Sequence, residues 1–186
     1  MGQGPGQVRK GIAVLLEDPC LYAELLADLQ TQLREIDKRI GDYDGRVKVA
    51  CADDARSVKV RALPGIGPLT ATALVAAVND GKQFQNGRQM AANLGREHSS
   101  GGKQRLLGIS KRGNTYLRTL LIHGARTVLR HAAGKTDRLS CWAVTIQARR
   151  GANVAAVALA NKLARIAWAV LARDRSYRAD WAEQSV

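Results

Sequence analysis

Aromatic side chains are scarce: one phenylalanine, four tyrosines and three tryptophans amount to 4% of the 186 residues. Sheet sandwiches draw their cores from aromatic and β-branched side chains, so the abundant Ala, Leu and Val favour packed helices instead. Cysteine is also sparse. Cys20, Cys51 and Cys141 stand far apart, odd in number and without a CxxC spacing, which argues against a disulfide framework or a zinc site and for reduced thiols in a cytoplasmic protein. The three histidines, His98, His123 and His131, have no accompanying cysteine and no HExxH spacing, so no metal ligand set is expected. No apolar run approaches a membrane span, and the opening MGQGPGQVRKG lacks the apolar core of a signal peptide, so no membrane partner is expected. The glycines in that opening read as a frayed start or a cut edge.

Acidic residues are scarce in one part only. Residues 1–60 hold nine Lys/Arg and ten Asp/Glu, whereas residues 61–186 hold twenty and six, so nearly all of the net +13 belongs to the second part. Clustered cations of this kind neutralise phosphates and release counterions, which makes nucleic acid the expected partner. A merely soluble basic surface is the plain alternative. Three segments are expected: a helical arm over 1–60, a compact helical domain over 61–175, and a tail over 176–186. The chain is long enough for a buried core of its own.

In the arm, Asp18 and Pro19 form an N-cap followed by proline at the first helical position. From there Tyr22, Leu26, Leu29, Leu33, Ile36, Ile40, Tyr43 and Val47 alternate steps of four and three, a heptad pattern. It suits either a dimerising coiled coil or an amphipathic helix packed on its own domain, with Gly41 and Gly45 weakening its end.

The compact part opens on VKVRALPGIGPLTATALVAAV, residues 58–78. A helix to Leu63, a break at Pro64 to Gly67 and a second, small-residue helix from Pro68 or Leu69 are expected, with Ile66 as a hydrophobic pin between Gly65 and Gly67. This resembles a helix-hairpin-helix, in which turn amides at a helix N-terminus hold a DNA phosphate without reading sequence. A ligand-free Gly-Pro corner would look the same. A polar loop over 79–86 and a short helix over 87–94 follow. The last two helices are expected over 139–149, closed by Arg149, Arg150 and Gly151, and over 153–172, largely buried. Trp142 and Trp168 read as core packing rather than base-stacking platforms.

The densest chemistry lies in REHSSGGKQRLLGISKRGNTYLR, residues 96–118. Ser99 and Ser100 precede the Gly101–Gly102 turn, and Arg96, Lys103, Arg105, Lys111, Arg112 and Arg118 face the single acid Glu97. A nucleophile type, a flexible backbone and positive charge thus occur together. Asn114 is a candidate N-cap for a helix to His131, whose small Gly124 and Ala125 suit close packing and whose Arg118, Arg126 and Arg130 form either a solvated stripe or a phosphate-facing edge. Judged without relatives, Ser99 reads as a turn or helix cap before a nucleophile, and His98 as an incidental neighbour before a local base.

LPGIG, HSSGGK, GISKRGNTYLRTLLIHGAR and GANVAAVALANKLARIAWAVL, in that order, resemble the C-terminal half of the Piv/MooV-like insertion-sequence transposases, which recombine DNA under a guide (bridge) RNA. The resemblance covers about residues 63–171, and the heptads upstream are similar to that family's coiled-coil linker. It implies a DNA recombination domain in which Ser99, with Ser100 next in line, attacks a phosphodiester. Gly65, Ile66, Gly67, Lys103, Arg105, Lys111, Arg112, Asn114 and Arg118 would contact nucleic acid. Mg²⁺ would be bound only with a RuvC-like partner domain, whose four carboxylates have no counterpart here. Its implied partners are DNA, a guide RNA, and further copies of the chain or a full-length transposase. One departure is clear: the family's short apolar-Pro insert is lacking where Leu94 and Gly95 run into Arg96 and Glu97. With the missing metal half, this implies a truncated copy that is incomplete as a catalyst alone. The contrasting expectation is a non-enzymatic helix-hairpin-helix DNA-binding or regulatory protein, and a weaker one is an RNA-binding module.

Overall fold

A computed structural model describes residues 5–15, 23–93 and 113–178. The described residues form eight helices and no strand: α1 (Pro5–Leu15), α2 (Ala23–Asp53), α3 (Ala55–Arg61), α4 (Pro68–Val78), α5 (Gly87–Asn93), α6 (Thr115–Arg130), α7 (Arg138–Arg150) and α8 (Ala152–Ala172). The mainly α fold is as expected. The chain divides into two units, Met1–Arg46 and Val47–Val186.

In the first unit, α1 is a correction. The glycine-rich opening is helical from Pro5, with proline tolerated at N1 because its missing N–H would have had no partner there. The Asp18–Pro19 cap lies outside the described residues. α2 continues unbroken through Gly41 and Gly45, which were expected to weaken it. Each glycine costs about 1 kcal/mol relative to alanine, but a long helix already nucleated absorbs that cost. The heptad positions are only partly covered: Leu26 and Leu33 are half-buried, whereas Leu29, Ile36, Ile40 and Tyr43 are exposed.

The second unit is organised on α8, which packs against α3, α5, α6 and α7. Its alanines at 155, 156, 160, 164 and 167 are buried with Leu159, Leu163, Val170 and Leu171, and small residues let the neighbouring helices approach closely. Leu74, Leu159 and Leu163 are fully buried, each worth roughly 1.5–3 kcal/mol of transfer free energy. By length and composition alone α8 could cross a membrane, contrary to the expectation that no run approaches that size. Half of its apolar window is buried among the other helices, which is the signature of a core helix.

Carboxylates fix two helix starts. Asp54 accepts the backbone N–H of Ser57 at 3.1 Å and its hydroxyl at 2.7 Å, opening α3 over a buried Ser57. Asp137 accepts the backbone N–H of Ser140 at 2.9 Å and opens α7. The Ser57 hydroxyl bond holds the Asp54 carboxyl below its ordinary range, and the Ser140 N–H does the same for Asp137. A carboxylate whose folded pKa is depressed contributes stability above its unfolded value, near 3.9, and loses that contribution as pH falls through the folded value. Acid titration of thermal stability should therefore show a loss beginning below about pH 5. The double variant Asp54→Asn/Asp137→Asn, which keeps a capping oxygen at both sites, should show a shallower loss. Parallel curves would mean that the two caps carry none of the acid sensitivity.

Candidate nucleic-acid interface

Between α3 and α4 the chain turns through residues 62–67. Leu63 N–H donates to Val60 O at 3.1 Å and Ile66 N–H to Leu63 O at 3.1 Å, two short-range bonds that tighten the corner. Leu63 and Ile66 are both buried, so Ile66 does pin the turn to the core. Gly65 takes φ +77°, a left-handed conformation that glycine adopts without steric cost.

Gly65 lies directly against α6. A Cβ at Gly124 would stand 2.0 Å from Gly65 O, and one at Gly65 would stand 2.6 Å from Gly124 O. Gly67 is exposed, extended at φ −86° and ψ 176°, and caps α4 without any side-chain hydrogen bond, with Pro68 following at N1. Proline contributes no N–H, so the donors that this helix end can offer come from Gly67, Leu69 and Thr70. The first turn of α4 carries no acid. An N-terminus of that kind favours an anion.

The second element is the start of α6. Asn114 accepts the Leu117 N–H on Oδ1 at 3.0 Å, so the expected N-cap is present. Its own N–H donates to Asn93 O at 3.2 Å, joining the end of α5 to the start of α6. Ser99, Ser100, Lys103, Arg105, Lys111 and Arg112, together with His98, lie outside the described residues, in the segment whose flanks this bond joins. Arg118 is half-buried, and its guanidinium donates to Thr115 Oγ1 at 3.3 Å. Arg126 and Arg130 are exposed further along α6.

Charge balance at this surface follows from where the acids are used. Among the described residues from 61 onward the only carboxylates are Asp80, Asp137 and Asp174. Asp80 faces Lys82 at 3.5 Å, Asp174 meets Lys59 of α3 at 2.6 Å, and Asp137 caps α7. From residue 61 onward, described cations therefore far outnumber described carboxylates. The described residues gather no group of three or more His, Cys, Asp or Glu side chains that could hold a metal ion.

Sequence reading anticipated the turn, Ile66 and the Asn114 cap, and it flagged Gly124 for close packing without its partner. It missed a second basic concavity where Arg88, Arg138, Lys162 and Arg165 come together. Those residues come from α5, α7 and α8 and meet only when these helices pack together, so no local pattern signals them.

Comparison with known proteins gives a consistent picture. Residues 58–140, which include the turn, the serine segment and all of α6, match the family model described as Transposase IS116/IS110/IS902 family. The chain is 51% identical over 163 residues to a probable family 20 transposase of Pseudomonas aeruginosa, covering 86% of this chain and 48% of that protein. It is 49% identical over 162 residues to the transposase for insertion sequence element IS1111A of Coxiella burnetii, covering 86% and 42%. Against the transposase for IS1328 of Yersinia enterocolitica it is 37% identical over 169 residues, covering 88% and 51%. The chain thus spans about half the length of the curated relatives it matches. Residues 58–140 carry the segment recognised in the IS116/IS110/IS902 transposase family, and the chain around them is similar to about half of such a transposase.

Proposed function

We propose that this chain is a DNA-binding and recombination segment of an insertion-sequence transposase. The turn at Gly65, Ile66 and Gly67 holds a DNA phosphate in the manner of a helix-hairpin-helix, and Ser99, with Ser100 next in line, attacks a phosphodiester. The observation that supports this reading most is the double use of α6. Asn114, which follows the Ser99 segment in sequence, caps α6, and the Gly65 turn is seated on Gly124 of the same helix. Ten residues of helix separate these points, about 15 Å at 1.5 Å per residue, a distance that one stretch of duplex backbone spans.

In this reading Lys103, Arg105, Lys111, Arg112 and Arg118 stabilise charge on the phosphate oxygens, and Asn114 caps the helix that follows the basic segment. A serine hydroxyl is a weak nucleophile and needs help in activating the phosphate. The family resemblance assigns that help to divalent metal in a RuvC-like domain, and the described residues offer no metal cluster of their own. In this reading the metal is held by that other domain. A guide RNA and further transposase copies complete the assembly.

The variant Gly67→Asp tests the turn. Gly67 has extended backbone and open space around a Cβ, so aspartate fits and caps α4, raising or preserving stability by a few tenths of a kcal/mol. The same carboxylate would occupy the phosphate position and repel DNA. Duplex affinity, measured by fluorescence anisotropy at fixed salt, should fall about tenfold. Unchanged affinity in a folded variant would remove the turn from the interface.

A further inference from the structure

A cleft of 870 Å³ lies in the second unit between α5, α7, α8 and the stretch that follows α8 to Arg178. Six cations line it, Arg88, Arg138, Lys162, Arg165, Arg173 and Arg178, and among the described residues no carboxylate does. Most of its wall lies beyond residue 140, outside the segment matched by the family model.

Three features of this cleft call for a ligand. Lys162 is half-buried with its Nζ 4.3 Å from the Trp142 ring centroid, and burial, then Arg138 and Arg165, push its pKa down. Asn161, also on the lining, has a buried Oδ1 with no hydrogen-bond partner. A buried acceptor without a partner is costly, so the Asn161 oxygen calls for a donor from water or a ligand. Trp142, Trp168 and Tyr177 add aromatic surface, and Trp168 is held in place by donating Nε1–H to Gly81 O at 3.0 Å. Gly87 keeps α5 close to this wall, since a Cβ there would meet Arg165 O at 3.0 Å and the Trp168 ring at 3.2 Å.

We infer that this cleft takes an unpaired nucleotide of a nucleic-acid strand, its phosphate among Arg138, Lys162 and Arg165 and its base against the aromatic wall, within reach of Asn161. An inorganic anion would use the cations alone and leave the aromatics and Asn161 idle. A duplex keeps its base faces inside the stack and shows only base edges in its grooves, so it would touch the rim. A splayed nucleotide carries both the charge and the planar, hydrogen-bonding base that suit the cations, aromatics and Asn161 of the cleft. Asp137, beside Arg138, does not line the cleft. It caps α7, and its charge, after burial, raises the Tyr177 phenol. The inference rests on the proposed function only in needing a polyanionic partner; its surface is separate from the Gly65 turn.

The test measures binding of the full chain to four short labelled probes: single-stranded DNA, single-stranded RNA of the same sequence, blunt duplex, and an abasic single strand. Lys162→Met/Arg165→Met should weaken binding of the unmodified single strands about tenfold while duplex affinity stays within about twofold. Whichever of DNA or RNA loses more identifies the source of the nucleotide. Arg88→Ala, at an exposed position of α5, gives a second variant if the double one does not fold. Asn161→Leu should weaken the base-bearing strand and leave the abasic one unchanged. Equal binding of abasic and base-bearing strands by wild type, equal weakening of duplex and single strand in the variants, or full displacement by polyglutamate would each overturn the inference. Gly67→Asp keeps the two readings apart, because it should impair duplex binding and leave the single-strand response intact.

Discussion

Gly124→Ala should destabilise the Val47–Val186 unit by about 3 kcal/mol, among the larger effects a single methyl group can have. The added Cβ would sit 2.0 Å from Gly65 O and 3.0 Å from Gly65 C, so it meets backbone, and no rotamer change relieves it. Either the turn lifts off α6, withdrawing Ile66 from the core, or α6 shifts against α8. Gly65→Ala should be similarly severe for two reasons. Its Cβ would be 2.6 Å from Gly124 O and 2.7 Å from Val128 Cγ2, and its φ of +77° is strained for alanine. Gly67→Ala is the control, because a Cβ there meets nothing within 4 Å. Loss of a glycine cap for alanine should cost that variant no more than about 1 kcal/mol. Chemical denaturation followed by circular dichroism ranks the three. If Gly124→Ala unfolds at the same denaturant concentration as Gly67→Ala, the close approach of the turn to α6 is not a feature of the folded protein.

That glycine pair also shows where sequence reading reaches its limit. Pro68 at N1, Asn114 as a cap and Gly151 closing α7 are local signals, written in adjacent residues, and each was legible. Gly124 was legible as a small residue on a helix, but its partner lies on the far side of α4 and α5 in sequence, and contacts of that range have no local pattern. The Arg138, Lys162 and Arg165 cluster is of the same kind, made only when α7 folds onto α8. Errors at the N-terminal end came from weighting glycine as a breaker. In α1 the spacing of Val8, Ile12 and Leu15 is helical and outweighs Gly6 and Gly11, and in α2 length outweighs Gly41 and Gly45. The serine segment is different again: its residue types and charge are legible, but Ser99 and the basic residues around it are outside the described residues, so its reading rests on chemistry and resemblance.

Ser99→Ala should abolish a covalent protein–DNA adduct outright. In the proposed step the serine Oγ forms an ester bond to phosphorus, the P–O bond to the neighbouring nucleotide breaks, the proton lost by the hydroxyl passes to a base or solvent, and the departing strand end takes up a proton to leave as a free hydroxyl. Each bond made is matched by one broken, so no oxidant, reductant or nucleotide cofactor is required. Labelled DNA with Mg²⁺ should give an adduct that survives denaturation when wild-type chain is supplied with a RuvC-like partner domain and guide RNA, and none with Ser99→Ala under the same conditions. Ser100→Ala should retain the adduct in reduced amount if Ser99 is the attacking residue, since the neighbour then only positions it. An adduct that persists in Ser99→Ala and vanishes in Ser100→Ala would move the nucleophile by one residue. Failure of every combination to yield an adduct, alongside duplex binding that weakens steeply with salt, would leave the chain as a DNA-binding protein whose serines contact phosphate without attacking it.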